Sequence, residues 1–196
     1  MSTIKTTNIT HGSNSGTNNI ILDDTGKVTV AAKKLVSPGT ILNVGHITTT
    51  NTFNESLTTG ATSSNNVLNL YFQATSTSNK LLVTINLNVS CTTANRSVGM
   101  VLFADGSVVP EAIGAESGSK NRVTAASTVN YTDNCEALNA QAWITPASTS
   151  NINYSIRLVN LHENTNTPTV NYSGSESDTS KYPRLISTMT IMEISQ

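Results

Sequence analysis

Along this chain, apolar and polar positions fall into short alternating runs. The clearest covers residues 80–90, with Leu81, Val83, Ile85, Leu87 and Val89 on one parity and Thr84, Asn86 and Asn88 on the other. Successive side chains of a strand point to opposite faces, so a period of two predicts a strand with one buried face. Residues 152–158 repeat the pattern, with Ile152, Tyr154, Ile156 and Leu158 set against Asn153, Ser155 and Arg157. Shorter runs predict strands over 41–50, 67–73, 98–103, 121–130, 137–144 and 169–172. The last run, 186–194, is apolar on both parities, which puts it either at the centre of the fold or under another subunit. No window has a convincing helical period. The best, 120–127, is short and carries the β-branched Val123 and Thr124. About eight short strands in succession predict an all-β fold, an antiparallel β-sandwich of jelly-roll-like character.

Upstream, residues 1–18 show no periodicity and read as an irregular arm. Asn19-Ile20-Ile21-Leu22 then leads into Asp23-Asp24-Thr25-Gly26, and Lys27-Val28-Thr29-Val30 leads out. Asp with Gly between two β-prone runs is hairpin chemistry, because Gly supplies the positive φ of a tight turn. A lone hairpin is marginal in water, so this one predicts a partner that covers Ile20, Leu22, Val28 and Val30. Ser37-Pro38-Gly39 punctuates the chain. The expected organisation is an N-terminal arm and hairpin, residues 1–36, followed by a β-sandwich, residues 37–196.

Composition sharpens this reading. The chain has 31 Thr, 24 Ser and 24 Asn among 196 residues. Thr favours strands and Ser and Asn favour turns, which fits the pattern. Charged residues are 12% of the chain, about half the usual share. A net charge of −1 leaves no basic footprint for nucleic acid and no polybasic stretch for a membrane surface. There is no apolar run long enough to span a bilayer and no apolar leader at the start, so neither membrane insertion nor a signal peptide is expected. With so few charges, repulsion between copies is weak, which suits a protein that self-associates.

Candidate chemistry is sparse. Cys91 and Cys135 read as structural thiols, too few for a disulfide framework, and whether they pair is left open. His11, His46 and His162 lack metal-ligand spacing, and there is no phosphate-binding glycine loop and no Gly-x-Ser-x-Gly elbow. Glycoside hydrolysis needs two carboxyl groups across a cleft. The candidates Asp133, Glu136, Glu163, Glu176 and Asp178 are scattered over loops and read as solvated. No catalytic, cofactor-binding or metal residue is therefore assigned, no cofactor is expected, and the chain is read as not an enzyme. Trp143, in the alternating run Gln141-Ala142-Trp143-Ile144, is expected in the core. Tyr172 and Tyr182 flank a polar loop, SGSESDTSK, which is either a binding surface or an inert loop.

Several segments carry a family likeness. The ending "TSKYPRLISTMTIMEISQ", residues 179–196, resembles the close of many bacteriophage tail-fibre and virion-fibre proteins: a Tyr-Pro-Arg turn, a Ser-Thr strand and a Met-Glu-Ile finish. "ATSTSNKLLVTINLNVS" and "ASTSNINYSIRLVN" resemble that family's Ser-rich turns leading into long strands, and "NNIILDDTGKVTVA" resembles the hairpins that precede such tips. The resemblance implies a homotrimeric β-sandwich on the surface of a phage particle, which adheres to a host surface or decorates the capsid. It supplies no catalytic residues. The chain lacks a long shaft, which suits a short capsid fibre or cement protein held to other virion proteins, capsid or tail, through residues 1–36. The host partner would be a surface glycan or protein. The alternative reading is a small glycan-binding or glycan-processing protein, a lectin-like module or depolymerase.

Overall fold

A computed structural model describes residues 8–9, 20–22, 28–30, 38–175, 177 and 179–196. The expected turn at Asp23 to Gly26, His11, Glu176 and Asp178 lie outside these described residues, as do the side chains before residue 38. The chain divides into two compact units, Met1–Thr40 and Ile41–Gln196.

In the first unit, β2 (Ile20–Leu22) and β3 (Val28–Val30) pair antiparallel, with Ile20 opposite Val30 and Leu22 opposite Val28. The arm expected to be irregular contributes a strand as well. β1 (Asn8–Ile9) pairs with β2 and completes a three-stranded sheet. Two residues are too few to leave a period in the sequence, so pairing alone reveals this strand.

The second unit is an all-β antiparallel sandwich. Its first sheet runs β11 (Glu136–Ile144), β7 (Lys80–Cys91), β14 (Ser187–Ile194), β4 (Ile41–Thr49). Two short strands, β13 (Pro168–Val170) and β5 (Phe53–Asn54), continue the ladder beyond β14 and β4. The second sheet runs β6 (Leu68–Gln73), β12 (Asn151–Asn160), β8 (Arg96–Ala104), β10 (Ala125–Val129). β9 (Ser107–Val108) folds back on β8 through a turn at Asp105 and Gly106, both with positive φ. The alternation read from the sequence sets the register. Leu81, Val83, Ile85, Leu87 and Val89 of β7 all face inward and are buried, opposite Phe72, Met100, Leu102, Ile156 and Leu158 of the other sheet. The two-faced final run is explained by its place: β14 lies between β4 and β7.

Three departures from the simple pattern shape the molecule. First, the run 169–172 is broken at Asn171, which adopts the left-handed region at φ 63°. Its buried side chain staples the break. Nδ2 donates to the Thr49 carbonyl at 3.1 Å and the Asn51 carbonyl at 3.0 Å, while Oδ1 accepts from Ser187 Oγ at 2.6 Å. Asn is among the few residues that tolerate this conformation, and a buried amide is stable only when its donors and acceptor are paired. Second, β10 begins at Ala125, four residues later than the run from 121 suggested. Val123, with Ile113 and Leu161, instead packs over Val101, Phe103 and Val159 on the outer face of the second sheet. Third, Glu193 has the inward parity of Met189 and Ile191 and is fully buried. Its Oε1 accepts from Thr75 N at 2.8 Å, Thr75 Oγ1 at 2.7 Å, Ser76 N at 3.3 Å and Asn79 Nδ2 at 2.7 Å. Burial raises its pKa, but hydrogen bonds from Asn79, Thr75 and Ser76 outweigh it and hold the carboxyl below its usual range.

Candidate functional site

The acids weighed for catalysis do not assemble into a site among the described residues. Asp133 is ion-paired with Lys181 at 2.6 Å, and that contact lowers its pKa while raising that of Lys181. Glu136 opens β11, and Glu163 is exposed on the turn after β12. No group of three His, Cys, Asp or Glu among the described residues is placed to hold a metal. Both cysteines are free thiols; burial raises the pKa of Cys91, whose sulfur accepts from Asn166 Nδ2 at 3.3 Å. His46 bridges Thr190 Oγ1 at 2.8 Å and Thr48 Oγ1 at 2.9 Å, and His162 Nε2 lies 3.0 Å from Arg96 Nη1. No helix among the described residues is long and apolar enough to cross a membrane.

Two surface features stand out instead. The first is the outer face of the β11-β7-β14-β4 sheet. The register places Val44, Met192, Leu82 and Trp143 side by side across all four strands. Trp143 is 48% exposed and Val44 55% exposed, so Trp143 is not the core residue its alternating run suggested. It has the outward parity: Ala142 and Ile144 take the inward positions beside Val83 and Leu81. Ile41, 53% exposed, lies opposite Ile194 at the same end of the sheet. Further along come His46, Thr190, Thr84 and Gln141, then Thr48, Thr188, Asn86 and Asn139. No outward position of these four strands is an acid. Depletion of charge around exposed aromatic and aliphatic side chains is the signature of an interface core.

The second feature is a cleft of about 440 Å³ at the loop flanked by Tyr172 and Tyr182. Both tyrosines line it, with Ser173, Ser177, Thr179, Pro183 and Arg184. The loop is pinned at its root. Gly174 N donates to Ser90 Oγ at 3.0 Å, and Ser175 N donates to the Thr132 carbonyl at 2.9 Å. A side chain at Gly174 would overlap the carbonyl of Cys91, so only glycine fits this approach. Tyr172 is held by Asn54 Nδ2, which donates to its hydroxyl at 2.9 Å, and by the Arg184 guanidinium, 5.4 Å from its ring centroid. Rings and hydroxyls facing one small cleft suit a sugar, which offers C–H faces and many hydroxyls. Sequence reading brought these two tyrosines together; it missed Arg184, Asn171 and Glu193. Only Glu193 left a signal, as an acid on the apolar parity of a strand.

No family model matches this chain, and no curated protein does. Among solved structures it is similar to a chain in a structure of infectious bursal disease virus, Gx strain, at a TM-score of 0.39 and 15% identity, covering 78% of this chain and 32% of that one. The chain therefore spans about a third of the length of that neighbour. A likeness this faint fixes neither fold nor role.

Proposed function

We propose that the protein is a structural subunit of a bacteriophage particle, a homotrimeric short fibre or decoration protein exposed on the virion. The observation that supports this most is the unacidic outer face of the β11-β7-β14-β4 sheet, with Val44, Met192, Leu82 and Trp143 in one row. Such a row in a soluble chain calls for a cover, and in a protein with so few charges a second copy is the natural one. The likeness of residues 179–196 to phage-fibre endings supports the setting. On this reading residues 1–36 hold the subunit to capsid or tail proteins, and residues 37–196 face outward. The protein has no catalytic role.

Size-exclusion chromatography with light scattering tests the assembly: a trimer is expected, and a stable monomer at micromolar concentration would sink the proposal. Deleting residues 1–36 should release the protein from its particle, and continued attachment would refute the anchor. A second activity, contact with a host-surface glycan, is favoured by the tyrosine cleft. A glycan array probed with the isolated assembly tests it, with binding lost in Tyr182→Ala.

A further inference from the structure

A second cavity, unrelated to the sheet face and the tyrosine cleft, lies at one end of the sandwich and measures about 290 Å³. The turn between β8 and β9, the 3-10 turn at Pro110–Ala112 and the connection from β11 to β12 border it. Its floor is apolar and buried, built from Val109, Ile144 and Ile152. One polar group enters that floor. Tyr154 is only 3% exposed, lines the cavity, and its hydroxyl has no hydrogen-bond partner among the described residues. The ring is buried while the hydroxyl keeps access to the cavity, so the phenol presents a polar atom to whatever occupies it.

The rim is acidic. Asp105 and Glu111 both line the cavity and both are exposed. Each is fixed by a backbone contact: Asp105 Oδ1 accepts from Asn153 N at 2.8 Å, and Glu111 Oε1 from Thr145 N at 3.5 Å. Neither Lys nor Arg lines the cavity. Lys80 stands beside the rim, its Nζ donating to Oγ1 of the lining residue Thr145 at 2.6 Å. Both carboxylates bear on the phenol: burial first, then Asp105 and Glu111, push its pKa up to about 12. The phenol is thus held protonated, chiefly by burial, and its oxygen is free to accept.

We propose that this cavity binds a small organic ammonium, an apolar body of about one ring seated on Ile144, Ile152 and Val109 with its N–H group directed to Tyr154 and the two rim carboxylates. The site goes beyond the proposed virion role and stands whether or not the chain assembles.

The test uses benzylamine, benzyl alcohol and benzoate as probes, titrated into the full-length protein and followed by amide NMR shifts. Benzylamine should move the amides of Asp105 to Glu111 and of Thr145, binding about tenfold tighter than benzoate, with benzyl alcohol between them. In the double variant Asp105→Asn, Glu111→Gln the preference for the amine over the alcohol should vanish. Asn tolerates the left-handed turn position, so that variant keeps the hairpin. Tyr154→Phe should weaken the amine and the alcohol alike. Benzoate binding as tightly as benzylamine, no shift of these amides at millimolar probe, or an amine preference that survives the double variant would each overturn the proposal.

Discussion

The two outer faces of the sandwich are built on the same plan and finished differently. Over the β6-β12-β8-β10 sheet, the chain lays its own cover: Ile113, Val123 and Leu161 pack on Val101, Phe103 and Val159, and the Arg157 guanidinium lies 4.6 Å from the Phe103 ring centroid. Over the β11-β7-β14-β4 sheet there is no such cover among the described residues, and Val44 and Trp143 stay about half exposed. Each face carries a comparable set of large apolar side chains. The difference separates apolar groups packed within the chain from apolar groups that the described residues leave exposed.

The strongest way to sharpen that contrast is to cut into the covered face. Phe103→Ala should cost about 3–4 kcal/mol in urea unfolding, because a nearly buried ring is lost from a packed cluster. On the open face, Leu82→Asp combined with Trp143→Ser should weaken self-association about 100-fold, roughly 2.7 kcal/mol, and leave the fold intact by circular dichroism. If sedimentation shows the double variant assembling as the wild type does, the open face is not the contact.

A smaller loss is expected at the staple of the first sheet. Asn171→Ala should cost about 2 kcal/mol, since it leaves the Thr49 and Asn51 carbonyls and the Ser187 hydroxyl short of a partner. The same sheet supplies a pH test. The Glu193 carboxyl titrates below its ordinary value of 4.5, so folding favours the ionised form. Its contribution is complete above that value and drains away as pH falls through the lower folded pKa. Stability measured from pH 6 downward should therefore fall less steeply in Glu193→Gln than in the wild type, and parallel curves would refute the assignment. Smallest of all, Tyr182→Ala should leave both unfolding and assembly unchanged, because its ring lines a surface cleft rather than either face.

Much of the fold was legible because a strand with one dry face must alternate. Residues 80–90 and 152–158 announced β7 and β12 and their inward sides, and the turn chemistry around Gly26 announced the pairing of β2 with β3. What went unread was what depends on partners distant in sequence. Trp143 and Ile144 are neighbours of similar hydrophobicity, and only pairing with Leu82 and Leu81 decides which of them is buried. Asn171 looks like any other turn residue among 24 asparagines, yet it holds a ladder together through carbonyls about 120 positions away. The candidate surfaces were half visible: the tyrosines at either side of a polar loop could be named, while the row of Val44, Met192, Leu82 and Trp143 draws one residue from each of four separate strands.

The sequence by itself determined an all-β chain, its principal strands, and the inward parity of the longest ones. Those are local properties, because side-chain alternation and turn chemistry act over a few residues. The tertiary structure decided which sheet face is covered, where the buried Glu193 finds its donors, and which apolar residues line up in the open. Those are properties of register, and register is set only when strands far apart in the chain come to lie side by side.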